Sequence, residues 1–455
     1  MTFRNWRWMS LITLVCLACA VQARHQRNLG DLGFAMDLIE HGYVEPVDRY
    51  QLYQAAMEGM VGTLDENSGY IEPEQYGSFQ SQIHQEFGGL GIVIERPAEG
   101  EPLRIFTVLY DSPAYKAGLQ AGDVIEQIDG RATRRMATDD ASRLLRGPPG
   151  TEVLLTVQRE SSPRPLSLCI ERAVIETESV TGDRRQADGR WAFMMQAEPS
   201  VAYLRLEIFG EKTPLEMKAA LAAVRTEAKA LIIDLRDNAG GLLPSATEIC
   251  DMFLEEGQIV STRGRRQSFA SSHDATSGVD IEATLPIVIL MNEMSASASE
   301  VMAACLQDHR RAKVLGERSF GKGSVQNVID MEGGKAALRL TSAYYFPPSG
   351  RNIHKRPKAT EADDWGVHPD PGLKVTLNDE QKKAVFERLR RRGQPASPEL
   401  SPEAAADAGG APAKVSPFLK RDPSLSKDPQ LLRAVEYLGE RLTASPLRPT
   451  GTTQP

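Results

Sequence analysis

The chain predicts a multidomain protein of mixed α/β and β class: a helical N-terminal segment, a small β-sandwich with one helix on its edge, and a larger α/β core. Three observations carry this. At 455 residues the chain is too long for one compact core. Between residues 87 and 173 short β-rich runs such as "RIFTVLY" and "TEVLLTVQR" are separated by turns, with one helical stretch, "TDDASRLLR", among them. After residue 198 continuous apolar runs alternate with amphipathic ones, the pattern of βαβ units whose sheet is covered on both faces.

The elements follow in order. Residues 1–23 carry Arg4 and Arg7, an apolar run from Met9 to Val21 and a cleavage-like "VQA" ending at Ala23, the anatomy of an export signal. Left uncleaved it would associate the chain with a membrane, although the run is short for the roughly 20 residues a span needs. Residues 24–80 show helix-like apolar spacing, including Leu32, Met36, Ile39, Leu52, Met57 and Met60, and stop at "LDENSGYIEP". The β-rich domain occupies 84–173 and the α/β core 174–391, in which "LPIVILM" feeds "ASEVMAACLQDH". Residues 392–417 are Pro-, Ala- and Gly-rich and read as a linker, leaving a helix and tail at 418–455 that is expected to dock back on the body.

A net charge of -8 and a pI near 5.6 argue against a nucleic-acid partner. Beyond the export segment the cysteines are Cys169, Cys250 and Cys305, expected to be buried, inert thiols; their spacing supports neither a disulfide framework nor a metal site.

The chemistry gathers around "NEMSASASEVMAACL", with Ser295, Ser297 and Ser299 at alternate positions between a strand and a helix. A serine there sits at the carboxyl end of a strand and at a helix N-terminus, which suits a nucleophile, but serines before helices are also the usual N-caps. The stretch alone leaves both readings open. Histidine is a poor base here: His309 lies twelve residues down the same helix, roughly 18 Å away at about 1.5 Å per residue. His273 and His354 lie in polar, loop-like sequence without an evident orienting acid. A lysine kept neutral by its surroundings is the other base open to serine, and "GERSFGKGSVQ" offers Lys322 between two glycines. That stretch lacks a full phosphate-loop signature, because Gly323 stands where Ser or Thr would follow the lysine.

Upstream, "IIDLRDNAGGLL" ends a strand at Arg236 and places Gly240 and Gly241 where a backbone N–H could turn into a pocket; a simple tight turn is the equal alternative. The stretch "FGGLGIVIE" is similar to the peptide loop of a PDZ domain, a resemblance that implies that the amides of Gly89, Leu90 and Gly91 cradle a chain-terminal carboxylate. Residues 91–95 would offer a strand edge, and Leu90 and Ile92 would form an apolar pocket with the "ASRLLR" helix. Arg146, just beyond that helix, either supplies charge near the carboxylate, couples the domain to the body, or is simply a surface arginine.

Together, "NEMSASASEVMAACLQDHRRAKVLGERSFGKGSVQ", "IIDLRDNAGGLL" and "SPAYKAGLQAGDVIEQIDG" closely resemble the C-terminal processing peptidases, a family of exported serine endopeptidases. The resemblance covers most of the chain. It implies a crotonase-like, ClpP-like α/β core with a PDZ domain at 84–173, no cofactor and no metal. It also implies that Ser297 is the nucleophile, Lys322 the general base and Gln326 its orienting partner, with an oxyanion hole from Ala298 and Gly240 or Gly241. Gly89, Leu90, Gly91, Ile92 and Arg146 would then meet the substrate's C-terminus. The implied partners are proteins or peptides with accessible, apolar C-termini, with an adaptor protein and a second copy of the chain as further candidates. The implied location is the bacterial periplasm. The rival reading is a non-catalytic PDZ scaffold or ligand-binding protein on the same fold. Two stretches depart from the family pattern: Glu66 and Asn67 in "LDENSG", and the long "SGRNIHKRPKATEADDWGVHPDP", whose acidic run is expected to be a solvated loop able to alter access to the site.

Overall fold

The computed structural model describes residue 13 and residues 29–98, 100–186, 188–393 and 416–444. The export segment predicted over 1–23 (residue 13 excepted) and most of the 392–417 linker lie outside the described residues. Among the described residues no helix is long and apolar enough to cross a membrane, and no group of His, Cys, Asp or Glu is placed to hold a metal ion. The chain divides into two compact units, residues 1–76 with 326–341 and residues 77–325 with 342–455. The smaller contains α1 (Arg49–Gly62), N-capped by the Asp48 carboxylate, and β1 (Gly69–Ile71). Helix α2 (Pro73–His84) leads from it along the chain into the larger unit.

In the larger unit the β-rich domain comprises β2 (Glu86–Gly89), β3 (Ile92–Glu95), β4 (Arg104–Val108), β5 (Val124–Ile128), α3 (Thr138–Leu145), β6 (Glu152–Gln158), β7 (Leu166–Glu171) and β8 (Ala173–Glu176). The sheet runs β3-β4-β5-β6-β7, all antiparallel, while β2 pairs with β8. Leu103, Ile105, Ile125, Ile128 and Leu155 pack with Leu145 of α3 in its core. Strand β7 alternates so that Ile170 points inward and Cys169 outward; this exposed cysteine corrects the expectation of a buried thiol. Period-two geometry, not the apolar run, decides its face.

The core sheet holds β9 (Val180–Thr181), β10 (Val201–Leu206), β11 (Ala230–Asp234), β13 (Ile287–Met291) and β14 (Lys313–Gly316) in that order. All but the first pair are parallel. Helices α4 (Thr213–Val224), α5 (Leu243–Asp251) and α6 (Ala298–Asp308) connect or follow its strands, with β12 (Gln258–Gly264) in a second sheet. Every residue of β10, β11 and β13 is buried. One sheet face, with Leu204, Ile233 and Ile289, packs on Leu221, Ile249 and Met302 of the three helices. Beyond β15 (Ser324–Met331), β16 (Ala336–Phe346) and α7 (Asp379–Arg392), the C-terminal helix α8 (Pro429–Ala444) covers the other face. There Leu431, Val435 and Leu438 meet Tyr203, Ile232 and Leu290. The continuous apolar strands are therefore buried from both sides.

Helix α8 is also held by charge. Arg236, fully buried at the end of β11, donates to both oxygens of Asp428 at 2.8 and 3.0 Å and to both oxygens of Asp234. Burial alone would raise the Asp428 carboxyl, but the Arg236 guanidinium overrides it and holds it below the usual carboxylate range.

The hairpin segment 326–341 groups with the N-terminal segment and not with the core in which the sequence placed it. Residues 337–339 pair with β1, and Met331 and Ala336 pack with Tyr53, Met57 and Tyr70. Tyr50 donates to Glu332 at 3.0 Å, and Tyr76 donates to Asp330. These partners lie some 250 positions or more away in sequence, so no local pattern announces them.

Replacing Asp428 with Ala leaves a buried guanidinium short of a counter-charge and should cost about 3–5 kcal/mol in urea-induced unfolding at neutral pH. Because the folded carboxyl is depressed, the parent holds this contribution above the unfolded aspartate value of about 3.9 and loses it as pH falls through the folded value. Asp428→Ala should show a correspondingly shallower loss of stability in acid.

Candidate active site

The strand-to-helix turn after β13 separates the three serines by role. Ser295 Oγ donates to Leu235 O at 2.8 Å and Ser299 Oγ to Asn238 O at 2.9 Å; both side chains are buried and spent on fixing backbone. Ser297 differs. Its φ of 57° and ψ of -116° are foreign to the extended conformation of an ordinary N-cap, and its Oγ lies 3.4 Å from the Tyr345 hydroxyl. A non-glycine residue at positive φ on a buried turn is strained and persists only where its surroundings enforce it.

Glu300 does much of that enforcing. Its side chain is fully buried one turn into α6, and Oε2 accepts from Ser297 N at 2.9 Å and from Lys322 N at 2.8 Å. Oε1 accepts from Gly321 N at 2.7 Å and from the Ser319 hydroxyl. One carboxylate thus joins the serine turn to the lysine loop. Burial pushes its acid group up, against the pull of the four donors. Sequence reasoning missed it, since a glutamate in the first turn of a helix is ordinary; the capping-box spacing from Ser297 was the one local signal.

The glycine turn after β11 is fitted against the same serine. A Cβ on Gly240, whose φ is 101°, would fall 2.7 Å from Ala296 O, 2.8 Å from Ser297 Cβ and 2.9 Å from Ala298 N, so only glycine permits this approach. Buried Asn238 organises the contact: its carbonyl accepts from Ala296 N at 3.0 Å and from Ser299 Oγ, and its side-chain oxygen accepts from Gly240 N at 2.8 Å. Among the described residues neither Gly241 N–H nor Ala298 N–H meets an acceptor.

Lys322 is half-buried on the loop between β14 and β15, and its loop is braced from outside. Lys355 N donates to Gly321 O at 2.8 Å, Tyr345 N to Gly323 O at 2.8 Å, and Val367 N to Ser319 Oγ at 2.7 Å. The long 353–366 stretch therefore packs on the lysine loop. Its acidic side chains Glu361 and Asp364 face solvent, while the Arg318 guanidinium stacks 3.5 Å from the Trp365 ring and donates to the carbonyls of Glu361 and Trp365. Gln326 lies on β15 in the smaller unit, where its amide donates to Thr341 Oγ1 at 3.3 Å.

In the β-rich domain β3 is the terminal strand of its sheet. A cavity of about 700 Å³ runs beside it, lined by Gly89, Leu90, Gly91, Ile92, Leu145 and Arg146 together with Trp191 from the core side. Gly91, at φ 77°, packs against Ser112, where a Cβ would come within 2.3 Å of the serine's own. Arg146 is exposed over the Phe87 ring, 4.8 Å from its centroid.

A strained serine at a helix N-terminus, locked to a lysine-bearing loop in a dry parallel α/β core, is the groundwork of a serine hydrolase, and the second domain adds a groove beside a free strand edge. Comparison with known proteins specifies it. Residues 200–371 match the profile of peptidase family S41 and residues 105–159 that of a PDZ domain. The chain is 34% identical to a carboxy-terminal-processing protease of Bartonella bacilliformis over 96% of this chain and 95% of that one. It is 35% identical to a carboxyl-terminal-processing protease of Synechocystis sp. over 75% of each. Among solved structures it is similar to a photosystem II D1 C-terminal processing protease, at 27% identity and a TM-score of 0.41 over 79% of this chain and 90% of that one; this likeness adds nothing to what the sequences show. The chain belongs to peptidase family S41 and is a serine peptidase with a PDZ domain.

Glu300→Gln tests the shared carboxylate. Either orientation of the amide turns an NH2 group toward a backbone N–H that needs an acceptor. Displacement of the serine turn from the lysine loop by about 1 Å should lower kcat by about 10²-fold, measured on an unstructured protein substrate, with a smaller change in KM.

Proposed function

We propose that the chain is an exported endopeptidase that cuts the C-terminal regions of proteins, using Ser297 as nucleophile and Lys322 as general base. The observation that carries this is the single Glu300 oxygen accepting from both Ser297 N and Lys322 N, which brings the main chains of the two residues together. In this reading Ser297 Oγ attacks the scissile carbonyl as Lys322 takes its proton, and the lysine returns a proton to the leaving amine. The family resemblance assigns Gln326 the part of orienting the lysine. The oxyanion is met by Ala298 N–H and by Gly241 N–H; Gly240 N–H is committed to Asn238 and its carbonyl to Phe209 N, so its part is to let the turn approach.

The PDZ groove recruits substrates. The tail adds as a strand beside β3, its carboxylate rests on the amides of Gly89, Leu90 and Gly91 near Arg146, and its terminal side chain enters the apolar pocket with Ile92. The parallel β10-β11-β13-β14 order with helices on both faces supports a crotonase-like, ClpP-like arrangement of the core. The export segment supports a periplasmic location, with membrane association if it is retained. An adaptor protein and a second copy of the chain complete the proposed partners.

The chain from residue 24, Ser297→Ala and Lys322→Ala are incubated with a loosely folded protein ending in apolar residues and with the same protein ending in charged ones. The parent should cleave the apolar-tailed substrate faster, and each variant should lose at least about 10³-fold in kcat/KM. Cleavage by an intact Ser297→Ala free of contaminating protease would end the mechanism. Equal rates on the two tails would end the recruitment role of the groove.

A further inference from the structure

The strained turn, the lysine loop and the core meet at one side chain that the proposed mechanism leaves unused. Tyr345 lies one residue from the end of β16, 4% exposed, with its ring in the main hydrophobic cluster beside the helices. Its backbone N–H donates to Gly323 O at 2.8 Å, directly after Lys322. Its hydroxyl is 3.4 Å from Ser297 Oγ, and that serine is the partner it has among the described residues. A buried phenol usually finds a partner for its hydroxyl. Here the partner is the oxygen proposed to react.

We infer that Tyr345 is a catalytic hydrogen-bond donor to Ser297 Oγ, placing the serine hydroxyl for proton transfer and stabilising negative charge on Oγ as it attacks and as it later leaves the acyl-enzyme. The inference rests on the reading of Ser297 as nucleophile. A serine oxygen has one hydrogen and two lone pairs. When the phenol donates to one lone pair, the serine's own hydrogen is left to point at the base. Burial pushes the phenol's proton affinity up, so it stays protonated and remains a donor through the working range. No proton leaves Tyr345: the serine proton goes to the base and then to the leaving amine, and the phenol hydrogen stays where it is. At 3.4 Å the contact is long for an O–H···O bond, as resting catalytic contacts often are, and it shortens as charge develops on Oγ.

The experiment uses the chain from residue 24 and Tyr345→Phe, which keeps the ring in the core and removes only the hydroxyl. Both are tested for turnover of the apolar-tailed protein, for the rate of covalent labelling of Ser297 by a fluorophosphonate, and for thermal unfolding. The expected result is a fall of about 10–100-fold in kcat and in labelling rate, as for loss of a hydrogen bond to a charged group, with KM within about twofold and the melting temperature shifted by only a few degrees. Unchanged kcat and labelling in Tyr345→Phe would make the phenol a packing group and overturn the inference. Faster turnover would overturn it too, since the phenol would then be restraining the serine by accepting its proton. If Tyr345→Phe were to lose its fold, 3-fluorotyrosine at the same position keeps ring and donor; an unchanged labelling rate across pH for that more acidic phenol would count against a donor role. If the parent itself turned the substrate over but was not labelled at Ser297, the nucleophile assignment would be the failure, separate from that of the phenol.

Discussion

One buried carboxylate sets the geometry on which the rest of the site depends. Glu300 receives four donors, two on each oxygen, from the serine turn and from the loop that carries Lys322. Without it, the N–H groups of Ser297, Gly321 and Lys322 would be buried without an acceptor, each costing about 1–3 kcal/mol. The carboxylate pays a desolvation penalty of its own, which shows in its raised acid group. That penalty is offset by the donors and by its position in the first turn of α6, where the helix dipole favours negative charge. A water in its place would have freedom to turn; a side chain anchored on a helix does not. The positive φ of Ser297 is tolerable because this anchor, together with Asn238, leaves the turn no alternative path.

The neighbouring serines follow from the same constraint. Ser295 and Ser299 flank the strained residue, and each uses its hydroxyl to hold a carbonyl of the 235–238 segment. The alternate spacing in the sequence thus records two struts around one strained position. The chain can bring the glycine turn to within van der Waals distance of Ser297 only because Gly240 has no side chain, and the approach sets the N–H groups of Ala298 and Gly241, which meet no acceptor among the described residues, on adjoining turns. Strain, close approach and unspent donors occur together there, and packing alone requires none of them.

How much of this was legible in the sequence depends on the range of the interaction. The parallel core was legible because strands covered on both faces must be apolar throughout, as β10, β11 and β13 are. Ser297 and Lys322 could be singled out as candidates because the strand-turn-helix stretch and the GKG loop are local patterns, but the stretch alone left nucleophile and N-cap both open, and only the family resemblance implied their roles. Glu300 was visible only as a capping residue, since its value lies in a loop some twenty residues on. Tyr345 stood in an ordinary strand, and nothing in "SAYYF" distinguishes the tyrosine that faces the serine from Tyr344 beside it, which is exposed. Cys169 was misjudged because an apolar neighbourhood does not say which face of a strand a residue takes. The grouping of residues 326–341 with the N-terminal segment rests on tyrosine–carboxylate pairs between distant stretches, for which there is no local signal.

The C-terminal helix shows how charge can make a distant segment part of the core. Arg236 closes the β11 strand inside the protein, and Asp234 alone satisfies only one side of its guanidinium. The second carboxylate comes from Asp428, across a Pro- and Ala-rich stretch, and Gln430 adds a further acceptor at 3.2 Å. An ion pair of this kind contributes little net stability compared with apolar side chains in its place, but losing one partner is severe. It therefore acts as a condition of assembly: the sheet cannot bury Arg236 cheaply until α8 arrives, and α8 brings Leu431, Val435 and Leu438 to the open face of the sheet in the same step. Arg236 stands only two residues before Asn238, which holds the glycine turn against Ser297. Docking of α8 is thus linked through a short segment of backbone to the turn that packs against the strained Ser297.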